Sequence, residues 1–166
     1  AKVVETMNKY SNNVIARSLI LLADTGNKVG AEHALQQVRQ QLQHDGIDDG
    51  AVVLENGSGL SRRERVSARM MGSLLNKAYH SPYREAFWNS LPIAGVDGTL
   101  RKRFKPLTGR LYLKTGTLDN VHALAGYGVD DAGQTVSIVV MVNGPDTPQT
   151  LTQMDNLVTK IMAMPH

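Results

Sequence analysis

LYLKTGT, residues 111–117, is the stretch that decides the fold of this chain. The alternation of residues 111–113 is typical of a β-strand, and the strand continues through the polar residues that follow. Residues 123–129 and 135–143 also predict strands, and the turn at 130–133 indicates that they form an antiparallel hairpin. The last third of the chain therefore predicts three antiparallel strands.

The third of these strands is predicted to lie in the middle of the sheet. Residues 136–142 are apolar on both faces apart from Ser137, as expected for a strand covered on both sides. Thr147 then predicts an N-cap, with Pro148 at the first helical position. The helix that follows should bury its apolar side chains, which are Leu151, Met154, Leu157, Val158, Ile161 and Met162.

Two helices are predicted near the start of the chain. Residues 14–23 are apolar almost all round, which is typical of a buried helix, and the stretch 24–27 should end it. Turns are predicted at 45–46 and 48–50, and a short strand at 51–54. Between the predicted helix end at 24–27 and the turn at 45–46, an amphipathic helix is predicted. Its apolar stripe is formed by Ala31, Ala34, Leu35, Val38 and Leu42.

Two more helices are predicted before the strands. Ser61 is a predicted N-cap with Glu64 completing a capping box, and Pro82 begins the second helix, which ends near Pro92. The apolar face of the first consists of Val66, Met70 and Leu74. The second carries Phe87 and Trp88.

The order of elements predicts an α+β fold, in which helices cover an antiparallel sheet. Residues 93–110 form a loop rich in Gly, Lys and Arg, and a connection of that length is usually functional or disordered. A chain of 166 residues has the length of one domain, so residues 1–166 are predicted to form a single unit.

Composition narrows the function classes. The chain is 42% apolar and 20% charged, with a net charge of +3 and no cysteine, so disulfides and thiolate chemistry are excluded. The basic residues lack interleaved aromatics, which argues against nucleic acid as a partner. No apolar run reaches transmembrane length, and there is no signal-peptide pattern. Val3 and Met7 already share a helical face, so a fragment or processed product is expected.

The residue types of KTGT, residues 114–117, suit a site that binds a carboxylate and lets a peptide lie against the strand. Upstream, residues 11–13 supply a Ser-x-Asn triplet. Each motif alone leaves a structural role open, because Ser and Asn also cap helices and a Lys on a strand edge also prevents aggregation. Their joint occurrence is the stronger signal.

The chain resembles the C-terminal part of penicillin-binding protein 4-type D-alanyl-D-alanine carboxypeptidases/endopeptidases, the class C low-molecular-mass penicillin-binding proteins. The matching blocks occur in the family's order and are residues 7–13 (MNKYSNN), 56–62 (NGSGLSR), 91–100 (LPIAGVDGTL), 114–118 (KTGTL) and 124–127 (LAGY). The resemblance implies part of a serine β-lactamase/DD-peptidase-like transpeptidase domain, of which the chain is the C-terminal portion, incomplete without an N-terminal segment.

The resemblance also implies roles for the site residues. Ser11 would relay a proton to the leaving amine, and Asn13 would hydrogen-bond the substrate amide. Lys114 would supply positive potential, and the Thr115 and Thr117 hydroxyls would hold the terminal carboxylate. The Thr117 N–H would form half of an oxyanion hole, and Gly116 would let the substrate approach the strand.

The nucleophile of the family, the serine of a Ser-x-x-Lys motif, has no counterpart here, because no serine is followed three residues later by lysine. Ser58 and Ser61 lie in a Gly-rich loop that lacks the full nucleophile-elbow pattern, so loop and cap roles are preferred. No metal or cofactor is expected, since no cysteine is present and no metal-like spacing occurs among His33, His44, His80, His122 and His166.

Two functions follow as hypotheses. The first is a penicillin-sensitive serine peptidase acting on peptidoglycan peptides that end in D-Ala-D-Ala, with β-lactams and the N-terminal part of the same protein as further partners, located in the periplasm with its substrate. The second is a non-catalytic module that holds an anionic cell-wall polymer through four basic residues of the 93–110 loop, Arg101, Lys102, Arg103 and Lys105.

Overall fold

A computed structural model describes residues 1–24, 30–47 and 50–164. Its helices and strands are α1 (Lys2–Tyr10), α2 (Asn13–Leu22), α3 (Ala31–His44), α4 (Ala68–Tyr79), α5 (Arg84–Ser90), β1 (Leu111–Leu118), β2 (Val121–Val129), β3 (Thr135–Asn143) and α6 (Thr150–Met162). The chain divides into two compact units, Ala1–Ser11 with Leu75–His166, and Asn12–Leu74. The assignment of residues 1–166 to one portion of a larger domain stays a prediction.

The sheet of the first unit confirms the three strands and the antiparallel hairpin, but not their predicted order. Its order is β1-β2-β3, so β2 and not β3 lies in the middle. The prediction was wrong because Leu118 and Val121 are joined through only two residues, which folds β1 directly back onto β2. Asn120 accommodates this turn with a positive φ of 61°.

One face of the sheet packs against α6. Met154, Val158 and Met162 are buried there, as predicted, whereas Leu151 and Leu157 are 45% and 47% exposed. The helix begins at Thr150, three residues after the predicted cap. The core cluster on this face consists of Ala94, Leu100, Phe104, Leu107, Leu111, Leu113, Leu124, Ile138, Val140, Met154, Val158 and Met162.

The opposite face of the sheet packs against α5 and the end of α4. Tyr127 is buried, its ring stacks on Trp88 with centroids 4.7 Å apart, and its hydroxyl donates to the Leu75 carbonyl over 2.7 Å. A satisfied hydroxyl is what permits a tyrosine to occupy a core position. Both faces of the sheet are therefore packed against helices, and this packing holds β1, which carries residues 114–117, in place.

The loop at 93–110 is ordered by its own apolar residues. Two 3-10 turns, Gly98–Leu100 and Lys105–Leu107, place Leu100 and Leu107 in the core beside α6. Arg103 forms two hydrogen bonds with the Asp155 carboxylate on α6, of 2.5 and 3.2 Å. One of the four basic residues predicted for polymer binding therefore fastens the loop to a helix.

In the second unit, α2 overturns the expectation of a buried helix. None of its residues is buried, and Val14 and Leu22 are 74% and 77% exposed. Its helical partner in this unit is α3, where Ala34 and Leu35 of the predicted stripe are buried. His33, at the start of α3, forms a hydrogen bond of 2.8 Å with the Asp24 carboxylate.

The predicted capping box is wrong as well. The Glu64 carboxylate accepts the N–H groups of Glu55 and Asn56 instead, and Arg65 forms an isolated bridge with Val53 where a strand was expected. The following helix begins at Ala68, where the Ser67 hydroxyl accepts the Met70 N–H over 3.0 Å. The predicted stop at 24–27 and turn at 48–50 include residues that lie outside the described ranges.

Candidate active site

The structure brings Ser11 and Lys114 together, although they are 103 residues apart. The Lys114 ammonium donates to the Ser11 hydroxyl over 2.8 Å and to the Thr115 carbonyl over 2.6 Å. Lys114 is half-buried on β1, whereas Ser11 is exposed at the end of α1. A cation therefore lies in contact with a hydroxyl that solvent can reach.

Ser11 is held in this position by an unusual backbone conformation. It is the C-cap of α1, with φ 52° and ψ 49°, and its N–H donates to the Met7 carbonyl. Left-handed backbone is uncommon for serine and persists where the surrounding structure holds it. The backbone hydrogen bond of the cap and the side-chain bond to Lys114 together fix the direction of the hydroxyl.

The rest of the Ser-x-Asn triplet belongs to the second unit. The Asn12 side chain caps α2 by accepting the Ile15 N–H over 3.0 Å. Asn13 is the first residue of that helix and is half-buried. The geometry described for the first unit thus joins Ser11 to Lys114, while Asn13 is placed only at the start of α2.

Burial lowers the pKa of Lys114 below its ordinary value of 10.5, because removal from water disfavours the charged amine. A lysine with a lowered pKa exchanges a proton more readily near neutral pH than a solvated one. Its contact with the Ser11 hydroxyl gives that proton a short path.

The residues after Lys114 present a mixed polar surface. Gly116 and Thr117 are exposed, and Thr115 is half-buried, with its hydroxyl donating to the Thr99 hydroxyl over 2.9 Å. Gly116 pairs with Ala123 on β2, and an added Cβ would lie 3.5 Å from the Ala123 Cβ, an ordinary contact. The packing of the protein therefore does not require glycine at this position. The absence of a side chain leaves room for a ligand beside the backbone of Gly116.

Sequence reasoning missed an ion pair beside these residues, in which the lysine is buried and the aspartate is half-buried. The Lys9 ammonium is 10% exposed and contacts the Asp97 carboxylate over 2.5 Å and the Leu91 carbonyl over 3.2 Å. The other oxygen of Asp97 accepts the Ile93 N–H over 2.9 Å. The only sequence signal was a lysine two residues before Ser11 and an Asp-Gly-Thr triplet in a loop.

His122 belongs to a hydrogen-bonded cluster at the β1–β2 turn. It is 7% exposed, and its Nε2 lies 2.7 Å from the Asp146 carboxylate. That carboxylate also accepts the Asn120 N–H over 3.3 Å, and the Asn120 side chain accepts the Asp146 N–H over 3.1 Å. These bonds tie the β1–β2 turn to the segment before α6.

The Asp146 cluster predicts a stability change in acid. The Asn120 N–H, and then His122, hold the pKa of Asp146 below its ordinary value of 3.8. A lowered pKa in the folded state stabilises the fold above the unfolded pKa, and this stabilisation disappears as the pH falls through the folded pKa. We expect wild type to exceed Asp146→Asn in unfolding free energy at pH 6, and the difference to vanish in acid. Urea titrations at several pH values measure this difference in unfolding free energy. A difference that is the same at every pH would contradict the prediction.

Other candidate groups have structural partners. The Ser58 hydroxyl donates to the Asn56 side chain over 2.7 Å, in support of its predicted loop role. Among the described residues no group of three or more His, Cys, Asp or Glu side chains is arranged to hold a metal ion. No helix in that part of the chain is long and apolar enough to cross a membrane.

Relatives of the chain are D-alanyl-D-alanine carboxypeptidases. The chain is 36% identical over 151 residues to D-alanyl-D-alanine carboxypeptidase DacB of Haemophilus influenzae, covering 87% of this chain and 32% of the relative. It is 32% identical over 162 residues to the D-alanyl-D-alanine carboxypeptidase of an Actinomadura species, covering 92% of this chain and 30% of the relative. The chain thus spans about a third of the length of these relatives.

The fold is also similar to that of a penicillin-binding protein. The crystal structure of penicillin binding protein 4 (dacB) from Haemophilus influenzae, in complex with a β-lactam, superposes with a TM-score of 0.87 at 29% identity. The match covers 97% of this chain and 41% of that one, which confirms the DD-peptidase-like α+β fold. The model of the D-Ala-D-Ala carboxypeptidase 3 (S13) family matches residues 1–163, so the chain belongs to this family.

Proposed function

We propose that this chain is part of a penicillin-sensitive serine peptidase that cleaves D-Ala-D-Ala peptides of peptidoglycan through an acyl-enzyme. The observation that carries the proposal is the 2.8 Å hydrogen bond between Lys114 and Ser11. It joins the two residues to which the family resemblance gives the proton relay and the positive potential. Since peptidoglycan peptides lie outside the cytoplasmic membrane, the protein acts in the periplasm.

In this proposal a serine supplied by an N-terminal part of the protein attacks the carbonyl between the two D-alanines. The peptide bond breaks, the acyl group remains on that serine, and water later releases it. The attacking serine gives its proton to the lysine of its own Ser-x-x-Lys motif, and Ser11 passes a proton to the leaving amine. Lys114 keeps the Ser11 hydroxyl oriented and lends positive potential. Asn13 holds the substrate amide.

The outer edge of β1 supports the docking of a peptide along the strand. Leu111 and Leu113 direct their backbone groups to this edge, since the Leu111 carbonyl accepts the Ala94 N–H over 2.9 Å and the Leu113 N–H donates to Pro92 over 3.0 Å. Alternation along a strand directs the backbone groups of Thr115 and Thr117 the same way. The Thr117 N–H is thus available as an oxyanion donor, and Gly116 leaves the approach open.

Replacement of Lys114 tests the proposal. In the full-length protein, Lys114→Ala should lower the rate of acylation by a fluorescent penicillin by about 10²- to 10⁴-fold, the range of a general acid–base contribution. Lys102→Ala removes an exposed lysine of the basic loop and should acylate at the wild-type rate. The measurement is the second-order labelling rate from a gel time course.

The same two variants separate the peptidase from the polymer-binding alternative. In a polymer-binding module, Lys102→Ala would lower the affinity for an anionic cell-wall polymer, and the loss would depend on salt. Lys114→Ala would leave that affinity unchanged. Arg103 is already bonded to Asp155, which weakens that alternative. Unchanged acylation in Lys114→Ala would refute the peptidase mechanism.

A further inference from the structure

Thr99 lies at the site although no motif assigns it a role. It is exposed, and its hydroxyl accepts the proton of the half-buried Thr115 hydroxyl over 2.9 Å. We propose that Thr99 is a substrate-binding residue, which forms with Thr115 a two-hydroxyl clamp for the terminal carboxylate of the peptide. The inference rests on the proposed function and adds a residue to its substrate contacts.

Proton counting requires the second hydroxyl. A hydroxyl carries a single proton, so Thr115 cannot donate at once to Thr99 and to a substrate carboxylate. While Thr115 donates to Thr99, the Thr99 proton is free for an acceptor in solvent. If the pair reverses, Thr115 donates to the carboxylate and Thr99 orients it. A carboxylate that displaces the bond between the two hydroxyls takes one proton from each, so the pair then offers two donors, one of which is Thr99.

Thr99 is also more rigidly placed than an ordinary loop residue. Leu100 beside it is completely buried in the core. Gly98 on its other side has a φ of +55°, and an added Cβ would lie 2.8 Å from the Lys9 carbonyl oxygen. Such close backbone contact on one side and core burial on the other leave little freedom to the threonine between them.

The ion pair of Lys9 and Asp97 connects this residue to Ser11. Asp97 holds the Lys9 ammonium with one carboxylate oxygen and the Ile93 N–H with the other. Lys9, in α1, precedes Ser11 by two residues, and Asp97 precedes Thr99 by two in the loop. The ion pair therefore fixes the distance between the proton relay and the hydroxyl clamp, which is a positioning role.

The chemical class of the ligand follows from its neighbours. Two hydroxyl donors with a lysine ammonium on the adjacent residue suit an anionic group with planar oxygens. A C-terminal carboxylate of a peptide meets this description, and so does the ring carboxylate of a penicillin. An uncharged ester in the same place would gain little from the additional donor.

The test compares Thr99→Val with Thr99→Ser in the full-length protein. Valine keeps the shape and loses the hydroxyl, and serine keeps the hydroxyl. We expect acylation by a penicillin to slow about 10- to 100-fold in Thr99→Val, the loss of one hydrogen bond to a charged group. Thr99→Ser should remain near wild type. With the methyl ester of the same penicillin, the three proteins should react at equal rates.

Failure of the inference is distinguishable from failure of the proposed function. If wild type is acylated and Thr99→Val is acylated equally fast, Thr99 does not bind the carboxylate and the inference is overturned. An equal slowing of acid and ester would also overturn it, because a distorted site would affect both. If wild type itself is not acylated, the proposed function fails and this inference fails with it.

Discussion

The isolated chain is expected to form no covalent adduct with a fluorescent penicillin. No serine in it is followed by a lysine three residues later, which is the arrangement that activates the nucleophile in this class of enzymes. Loss of a catalytic serine has cost on the order of a millionfold in kcat where it was measured in a protease. Intact-mass spectrometry after incubation is the measurement, because it would reveal even one acyl group, and we expect the mass of this chain to be unchanged.

The matched control is the full-length protein, which should be labelled under the same conditions. A label carried by a second, co-purifying polypeptide would support a nucleophile outside this chain. An adduct on Ser58 or Ser61 would contradict the expectation and would require one of these loop serines to be activated. The Ser58 hydroxyl already donates to Asn56, and no lysine is described in contact with it.

The strands could be predicted because their determinants are local. Alternation of apolar residues and the turn at 130–133 are sufficient to give β2 and β3 their bounds to within two residues. Strand order is set by the length of the connection between β1 and β2, which the three-strand pattern alone did not reveal. Apolar residues on both faces of β3 indicated that both faces pack against other residues, but they did not indicate the position of β3 in the strand order.

Burial depends on partners that a sequence window does not contain. The apolar residues of α2 predicted burial, yet Val14 and Leu22 are largely exposed although α2 packs against α3. Capping failed for a related reason. Glu64 had two possible sets of N–H donors, and the backbone of Glu55 and Asn56 competed successfully with the predicted helix terminus.

The site shows the same division. Resemblance to a family placed Ser11 and Lys114 at one site, and the structure describes the hydrogen bond between them. Thr99 and the pair of Lys9 with Asp97 had no such signal, because their contacts join residues that are 16 and 88 positions apart. Long-range polar contacts follow from the completed fold, and local patterns do not encode them.

Gly126→Ala is expected to destabilise the protein by about 2–6 kcal/mol, from overpacking of about 1–3 kcal/mol and backbone strain of similar size. Gly126 pairs with Leu113 on β1 and with Ile138 on β3, so its backbone cannot move aside without breaking a ladder. Its φ is +156°, and an added Cβ would fall within the contact radius of the Tyr112 carbonyl oxygen. The midpoint of urea-induced unfolding measures this loss.

Gly116→Ala is the matched control, because the same methyl group enters the same pair of strands without a clash. Its Cβ would lie 3.5 Å from that of Ala123, so the unfolding midpoint should stay close to wild type. Acylation should nevertheless slow, since the methyl group occupies the side of the strand where the peptide is proposed to lie. Wild-type stability in Gly126→Ala would contradict the described register of β1 and β2. Wild-type acylation in Gly116→Ala would instead contradict docking along β1, because a peptide elsewhere would not meet the added methyl group.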